Sequence, residues 1–317
     1  MFKKFIRDHK VHKDIVLSSS FDYIFLCNPS YLFGPIAMLL VGMYLGSFAN
    51  AQLQLGITSV NIKTSFFVFG ISVVICCIFI KDKILSIQEG SASRFSFVEK
   101  NLVGDSIEVK TADLIHNLLL GIGFLLVLGT SWINSFIIAA IYFSWLHSIN
   151  FSGNLLKSLG LFTLISFFLI LSGWLYTDSS FNSYLTYMLF FLLAIPYVFL
   201  FLATIILISF DFNKLNSFIG MLFIIIGFLV AYYNNDPVGA TVLSVSFPFY
   251  LFLFLRGAER DLIRAIRYPV FLLNFFLFTI YPLLMIPMAI VYYISKYYYW
   301  HRFDIHFPAL AINNDYD

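Results

Sequence analysis

Charged residues are scarce in this sequence. Asp, Glu, Lys and Arg make up 11% of the 317 residues, whereas a soluble domain carries about 25%. Hydrophobic residues make up 60% of the chain, and the mean hydropathy is +0.89. This composition excludes an ordinary soluble domain and is typical of an integral membrane protein. No nucleic-acid partner is expected.

Cysteine is also rare. Three cysteines cannot form a disulfide framework. Cys76 and Cys77 are adjacent in an apolar run, so on a helix they point about 100° apart and cannot share one metal site. Cys27 precedes the first apolar run, a position at which a cysteine can be acylated. An ordinary interfacial residue is the simpler interpretation.

The apolar runs themselves almost lack ionisable side chains. The exceptions, His116 and His147, fall near the ends of runs, where a histidine is usually a hydrogen-bonded interfacial residue. Proton-coupled pumps need buried acids or bases near the middle of the membrane. The sequence therefore argues against a proton-driven transporter, but it does not exclude a carrier of neutral lipids.

Long hydrophobic runs are abundant, and each is long enough to cross a hydrocarbon core of about 30 Å as a helix. We predict an all-α polytopic membrane protein with about nine transmembrane helices. The last run contains Pro282 and Pro287, so we expect it to be kinked or tilted. The predicted spans are 31–49, 65–80, 113–129, 132–148, 155–175, 184–209, 215–233, 238–255 and 269–299.

Small residues follow one stripe of the first span. Gly42, Gly46 and Ala49 permit close helix packing. Packing within the chain is the simpler expectation, and a dimer interface is the alternative.

Lysine and arginine are distributed unevenly between the two sides. With nine spans, 16 cations fall on the side of the N-terminus and three, Lys63, Lys296 and Arg302, on the other. Cytoplasmic loops carry the excess of cations, so we predict a cytoplasmic N-terminus and a C-terminus outside, in the inner (cytoplasmic) membrane of a bacterium. An even number of spans would move only the C-terminal tail.

The chain divides into three parts on this basis. Residues 1–30 form a basic arm, predicted to be an amphipathic helix at the membrane surface. Residues 31–300 form the transmembrane domain, which includes a cytoplasmic loop at 81–113, and 301–317 form a polar tail.

Polar side chains gather in the loops on the predicted cytoplasmic side. Cations beside carboxylates there suit an anionic headgroup, or a diphosphate bound through a divalent ion. A cation-rich surface with ordinary helix capping is the simpler alternative. The groups are Asp82, Gln88 and Glu89; Asn150 and Asn154; Asp211, Asn213, Lys214 and Asn216; and Arg256, Glu259, Arg260 and Asp261.

Three stretches carry a family resemblance: Phe21 to Pro29, Ala203 to Asp211, and Tyr268 to Pro308. With the predicted layout, the chain resembles the UbiA superfamily of intramembrane prenyltransferases across most of its length. The resemblance implies a nine-helix bundle with an inside N-terminus and working loops after helices two and six.

The chain departs from that family at both acidic motifs. Active members carry N/D-x-x-x-D-x-x-x-D after helix two and D-x-x-x-D after helix six, where Mg²⁺ holds the diphosphate. Here Asp82 is followed by Glu89 seven residues later, and Asp211 is followed by Leu215 where the second Asp is expected. A lone carboxylate cannot build the same two-ion site.

We therefore predict a degenerate homologue that keeps an isoprenoid- or lipid-binding cavity and acts as a structural or lipid-binding subunit of a membrane complex. In the first alternative the chain is an active Mg²⁺-dependent prenyltransferase, with Mg²⁺ as its cofactor. The second alternative is a lipid carrier or permease. If the chain is active, the resemblance assigns the metal to Asp82, Glu89 and Asp211 and the diphosphate to Lys214, Arg256 and Arg260.

Overall fold

A computed structural model describes residues 16–49, 61–89, 102–105, 107–149, 155–177, 184–209 and 213–303. Helices account for 94% of it, and the described residues contain no strand. The helices are α1 (Val16–Phe25), α2 (Phe33–Ala49), α3 (Ile62–Glu89), α4 (Val109–Thr130), α5 (Trp132–Ile149), α6 (Leu155–Thr177), α7 (Tyr184–Ser209), α8 (Lys214–Tyr233), α9 (Pro237–Arg256), α10 (Glu259–Ile280) and α11 (Pro282–Phe303).

Seven of these helices are long and apolar enough to cross a membrane: α3, α4 and α6 to α10. Shorter apolar helices lie within α2 and α5. Large apolar side chains also point away from the bundle; Leu125, Phe136 and Phe271 are each 65–70% exposed. A helix that is apolar on its outer side as well as its inner side is suited to lipid. The prediction of a polytopic helical membrane protein is confirmed. The number of nine transmembrane helices stays a prediction.

Helix α2 runs through the centre of the bundle, between α6, α7 and α10. Its contact with α6 is close enough that a Cβ atom at Gly42 would clash with the carbonyl oxygen of Ile170. The same position lies 3.0 Å from the Cα atom of Gly173. Small residues allow such backbone contact between membrane helices. Packing within the chain is confirmed at Gly42 and Gly46, and the side chain of Ala49 lies outside the described part of the structure.

Helix α3 continues nine residues beyond the predicted end of its span. The segment from Lys81 to Glu89, predicted as the start of a loop, is helical. Its first turns are held by neighbours: the Lys81 ammonium lies 3.1 Å from the Asp113 carboxylate on α4, and Ile84 is buried in a small apolar cluster. The loop prediction is therefore wrong over these residues, because tertiary contacts satisfy their polar groups.

The last predicted span, 269–299, is two helices. Tyr281 leaves the helical conformation (φ −120°, ψ 65°), and Pro282 begins α11. Proline disfavours a helical conformation at the preceding residue and suits the first position of a helix. The single kinked helix was a wrong prediction. Helix α10 also begins ten residues earlier, at Glu259, and Pro269 lies inside it.

Helix α11 returns to the side of the bundle where α2 begins, which we call the proximal face; α2 ends at the distal face. The Tyr298 hydroxyl donates a hydrogen bond to the Asp22 carboxylate of α1. The Phe25 and Tyr298 rings stack at 3.8 Å. The end of α11 therefore lies beside α1, and the prediction that it reaches the opposite side is wrong.

This return changes how the cations are divided between the two faces of the bundle. Lys296 and Arg302 now belong to the proximal face, so among the cations of the described residues Lys63 alone falls on the other side. The asymmetry is larger than the nine-span layout implied.

Candidate functional site

A groove opens at the proximal face between the end of α9 and the start of α10. Its volume is about 350 Å³, and its lining combines three aromatic rings with an acid and a base: Phe249, Phe252, Asp261, Arg264 and Tyr268. An aromatic cleft with a few polar groups is the usual character of a small-molecule site.

A tight connection sets the geometry of this groove. Helix α9 ends at Arg256 and is capped by Gly257, which is in the left-handed conformation (φ 63°) and whose N–H donates a hydrogen bond to the Leu253 carbonyl. Ala258 then precedes the first turn of α10. Glycine adopts this conformation without the penalty of a side chain. Two residues thus turn the chain, and the start of α10 is held against the end of α9.

The first half of α10 is amphipathic. Leu262, Ala265 and Ile266 are buried against the bundle. Arg264 is exposed and Arg267 is half-buried. This pattern places basic groups at the proximal rim of the membrane, where they can meet anionic headgroups.

Arg264 is oriented by a buried carboxylate. Its Nη1 atom lies 3.2 Å from the Asp261 Oδ1 atom; the Asp261 side chain is 6% exposed and the Arg264 side chain is 52% exposed. A guanidinium carries five N–H donors, so this single contact leaves donors for a phosphate. Bidentate contact with phosphate is the interaction that arginine favours.

The aromatic residues form the walls of the groove. The Phe249 and Tyr268 rings are 4.7 Å apart. Arg256 places its guanidinium carbon 4.9 Å from the centre of the Phe252 ring, a cation–π contact at the exposed rim. The groove therefore offers an apolar interior and two guanidinium groups at its mouth.

The residues predicted to bind diphosphate lie near this groove. Arg256 is at its rim. Arg260 lies in the first turn of α10, although its side chain is outside the described part of the structure. Lys214 is exposed at the start of α8, the helix that packs on α9, with Phe218 and Phe254 rings 5.7 Å apart.

Of the residues predicted to bind metal, Asp82 is in a different region. Asp82 is 2% exposed on α3, and α3 packs mainly on α4 and α5, whereas α9 packs mainly on α8 and α10. Glu89 ends α3 with a side chain that is not described, and Asp211 lies outside the described residues. In the part of the chain that the structure describes, no three His, Cys, Asp or Glu side chains could hold a metal ion together.

Sequence reasoning missed a buried cation at the proximal face. Lys83 is 2% exposed, and its ammonium donates to the Leu26 carbonyl at 3.0 Å and to the Asn28 side-chain oxygen at 2.9 Å. Asn28 has a positive φ of 43°. Lys83 thus holds the turn between α1 and α2. Its polarity predicted an exposed loop, and nothing in the local pattern marks its burial.

A buried acid at the distal face was also missed. Asp236 is 1% exposed, and its Oδ1 atom accepts hydrogen bonds from the N–H groups of Val238 and Gly239 at the start of α9. The Tyr44 hydroxyl donates to the same oxygen at 3.2 Å, and the Tyr197 hydroxyl faces the carboxyl. Burial raises the pKa of Asp236 above its ordinary value, against these hydrogen bonds. The signal in the sequence was Asp followed by Pro, a helix start.

His116 confirms the prediction of a hydrogen-bonded histidine near a helix end. Its Nε2 atom lies 2.9 Å from the Tyr142 hydroxyl, and its Nδ1 atom lies 3.1 Å from the Asn117 side-chain oxygen.

Comparison of this chain with protein families, with curated proteins and with solved structures finds no match.

Proposed function

We propose that this protein binds a phosphorylated isoprenoid or lipid at its proximal face without catalysing prenyl transfer, and serves as a structural or lipid-binding subunit of a membrane complex. The observation that carries this proposal is the groove between α9 and α10. Its aromatic lining suits an apolar chain, and Arg264 and Arg256 suit a phosphate headgroup.

Among the described residues, the placement of the acids supports the non-catalytic form of the proposal. Metal-dependent transfer requires several carboxylates around the diphosphate. The groove contains Asp261, which is engaged by Arg264, whereas Asp82 is buried on α3. A diphosphate in the groove would therefore be neutralised by guanidinium groups.

The UbiA-like bundle and the cytoplasmic N-terminus are part of the proposal. Their support is the resemblance of the sequence and the concentration of cations at the proximal face. A bundle with this orientation places the groove at the cytoplasmic surface, where water-soluble diphosphate headgroups are accessible.

The experiment is binding of geranylgeranyl diphosphate to the detergent-purified full chain, with Mg²⁺ and with EDTA. We expect binding in both conditions and a loss of about tenfold in Arg264→Gln, because one charge-assisted contact contributes about 1.5–3 kcal/mol. Lys157→Gln, which removes an exposed cation of the same face on α6, should bind like the wild type.

Two further arms separate the alternatives. Phosphatidylglycerol as a competitor tests whether an ordinary anionic phospholipid occupies the same groove. Binding that requires Mg²⁺, together with transfer of the prenyl chain to an acceptor, would contradict the non-catalytic proposal and favour an active prenyltransferase.

A further inference from the structure

The groove continues as a furrow along the lipid-facing side of α10. Between Asp261 and Ile280, a stretch that the structure describes completely, five residues are exposed, and they follow one another at spacings of four, three, four and four. Such spacing keeps side chains on one side of a helix. The stripe consists of Arg264, Tyr268, Phe271, Phe275 and Thr279. Its first two members line the groove, so the stripe begins there and runs into the membrane.

Helix α9 forms the other side of the furrow. Its exposed residues include a stripe with the same kind of spacing, which from the groove inward is Arg256, Phe252, Pro248, Val245 and Thr241. Phe252 lines the groove, and the Phe249 and Tyr268 rings, 4.7 Å apart, join the two helices at this depth. Further into the membrane the α9 stripe has smaller side chains, whereas the α10 stripe has aromatic rings, 65% exposed at Phe271 and 56% exposed at Phe275. The furrow therefore faces lipid along its length.

The length of the furrow matches one leaflet of the membrane. Phe275 lies eleven residues after Arg264 on α10, about 17 Å along the helix axis. Half of a hydrocarbon core of about 30 Å is about 15 Å. A chain that starts from a headgroup at Arg264 and follows the stripe therefore lies beside the lipid chains of the proximal leaflet.

The polar and apolar parts of this surface follow each other directly. Tyr268 is four residues after Arg264, about 6 Å along the axis, and the rings of Phe249 and Phe252 complete the apolar lining. A prenyl phosphate attaches its apolar chain directly to a phosphate oxygen. A phospholipid has a polar glycerol diester at that level, and burying its oxygens against phenyl rings costs free energy. The arrangement therefore fits a prenyl phosphate better than a diacyl phospholipid.

We propose that the ligand enters the groove sideways from the proximal leaflet and that its chain lies in the outer furrow between α9 and α10, so that the site binds long polyprenyl phosphates without selecting their chain length. This inference rests on the proposed function, because the guanidinium groups of Arg256 and Arg264 supply the charge that complements the phosphate. Isoprene units beyond Phe275 stay among the lipid chains.

The test uses the purified full chain in phosphatidylcholine nanodiscs, where competitors at equal mole fraction displace radiolabelled geranylgeranyl phosphate. We expect undecaprenyl phosphate to compete as well as geranylgeranyl phosphate, within about twofold, because its additional units meet lipid both before and after binding. Phosphatidic acid, which also carries a phosphate monoester, should compete about tenfold less well, because its diester would lie against the rings.

Three outcomes would contradict this account in different ways. Undecaprenyl phosphate that fails to compete, while geranylgeranyl phosphate binds, would overturn the outer furrow in favour of an enclosed chamber. Phosphatidic acid that competes equally would overturn the choice of a prenyl chain. Failure of every prenyl phosphate to bind would instead contradict the proposed function itself.

Two variants locate the chain. Phe275→Ala should weaken binding of geranylgeranyl and undecaprenyl phosphate about threefold, since contacts within lipid are individually small. It should leave geranyl phosphate unaffected, because that short chain ends before Phe275. Phe136→Ala, which removes a 70% exposed ring from α5, is the matched control and should bind all three like the wild type. Equal binding of the long chains by the Phe275→Ala and Phe136→Ala proteins would overturn the furrow.

Discussion

On each face of the bundle a buried charged side chain binds the backbone at a helix end, and the two side chains have opposite sign. At the proximal face, Lys83 donates to the Leu26 carbonyl just after α1. At the distal face, Asp236 accepts from two N–H groups at the start of α9. Carbonyl ends of helices carry partial negative charge and N–H ends carry partial positive charge. In a chain with few charges, both buried ions satisfy backbone groups that the membrane would leave without partners.

The surroundings of the two charges differ. Asp236 is faced by the neutral hydroxyls of Tyr44 and Tyr197. Lys83 binds the Leu26 carbonyl and the Asn28 side chain, on the face that also carries the Arg264 groove. The comparison indicates that the distal site serves mainly to hold helices together, whereas the proximal face combines structure with accessible chemistry.

The largest expected effect comes from removing the distal acid. Asp236→Ala deletes the acceptor for two N–H groups and for the Tyr44 hydroxyl. Losing a helix cap and leaving a buried hydroxyl without a partner should lower the free energy of unfolding by about 3 kcal/mol, measured by thermal or chaotrope unfolding in detergent.

Asp236→Asn is the matched control, because it keeps a side-chain oxygen at the same position. We expect it to retain most of the stability. Equal losses in the Ala and Asn variants would show that the charge, and not the acceptor, is what α9 requires.

Lys83→Met should have the next largest effect. It keeps an unbranched stem of similar length but removes the donor to Leu26 and Asn28. We expect a loss of about 2 kcal/mol and faster hydrogen exchange in α1. Lys81→Met, two residues away on the same helix, should lose less, since its side chain is 29% exposed. A Lys83 variant as stable as the Lys81 variant would contradict the structural role of the buried cation.

The pH dependence of stability should also separate the two faces. Because the pKa of Asp236 is raised in the folded protein, folding favours its protonated form. Its contribution is fully present below the ordinary value of 3.8 and is lost as the pH rises through the raised value. As the pH rises above 3.8, the melting temperature of the wild type should therefore fall relative to that of Asp236→Asn. A difference that is independent of pH would contradict the raised pKa.

The smallest effect is expected for the exposed ion pair of the proximal face. A double-mutant cycle on Lys81 and Asp113, which lie 3.1 Å apart, should give a coupling energy below about 1 kcal/mol that decreases with salt. A larger coupling that is insensitive to salt would mean that this pair is shielded from water in the membrane-embedded protein.

The sequence predicted the helical membrane architecture because long apolar runs report directly on helices that lie in lipid. It did not predict the break at Tyr281, because the apolar pattern continues through Pro282 and proline also occurs inside helices such as α10. It did not predict the burial of Lys83 either, since burial depends on how the turn after α1 packs against α3.

The candidate site was predicted only at its rim. Arg256 stands out as a cation after an apolar run, and it does lie at the mouth of the groove. Phe249, Phe252 and Tyr268 were not singled out, because α9 is apolar on all sides and its sequence does not indicate which face meets α10. The metal ligands proposed by resemblance could not be placed together from sequence, since their approach depends on which helices pack side by side.

The central claim, that the proximal groove binds a phosphorylated lipid, is tested most directly by photo-crosslinking. A geranylgeranyl diphosphate analogue with a diazirine in its chain would be irradiated with the purified protein, and the labelled peptides identified by mass spectrometry. The account predicts labels on Phe249, Phe252 or Tyr268 that decrease in Arg264→Gln but not in Lys157→Gln. Labels confined to α3 and α4, or spread evenly over the lipid-facing helices, would contradict it.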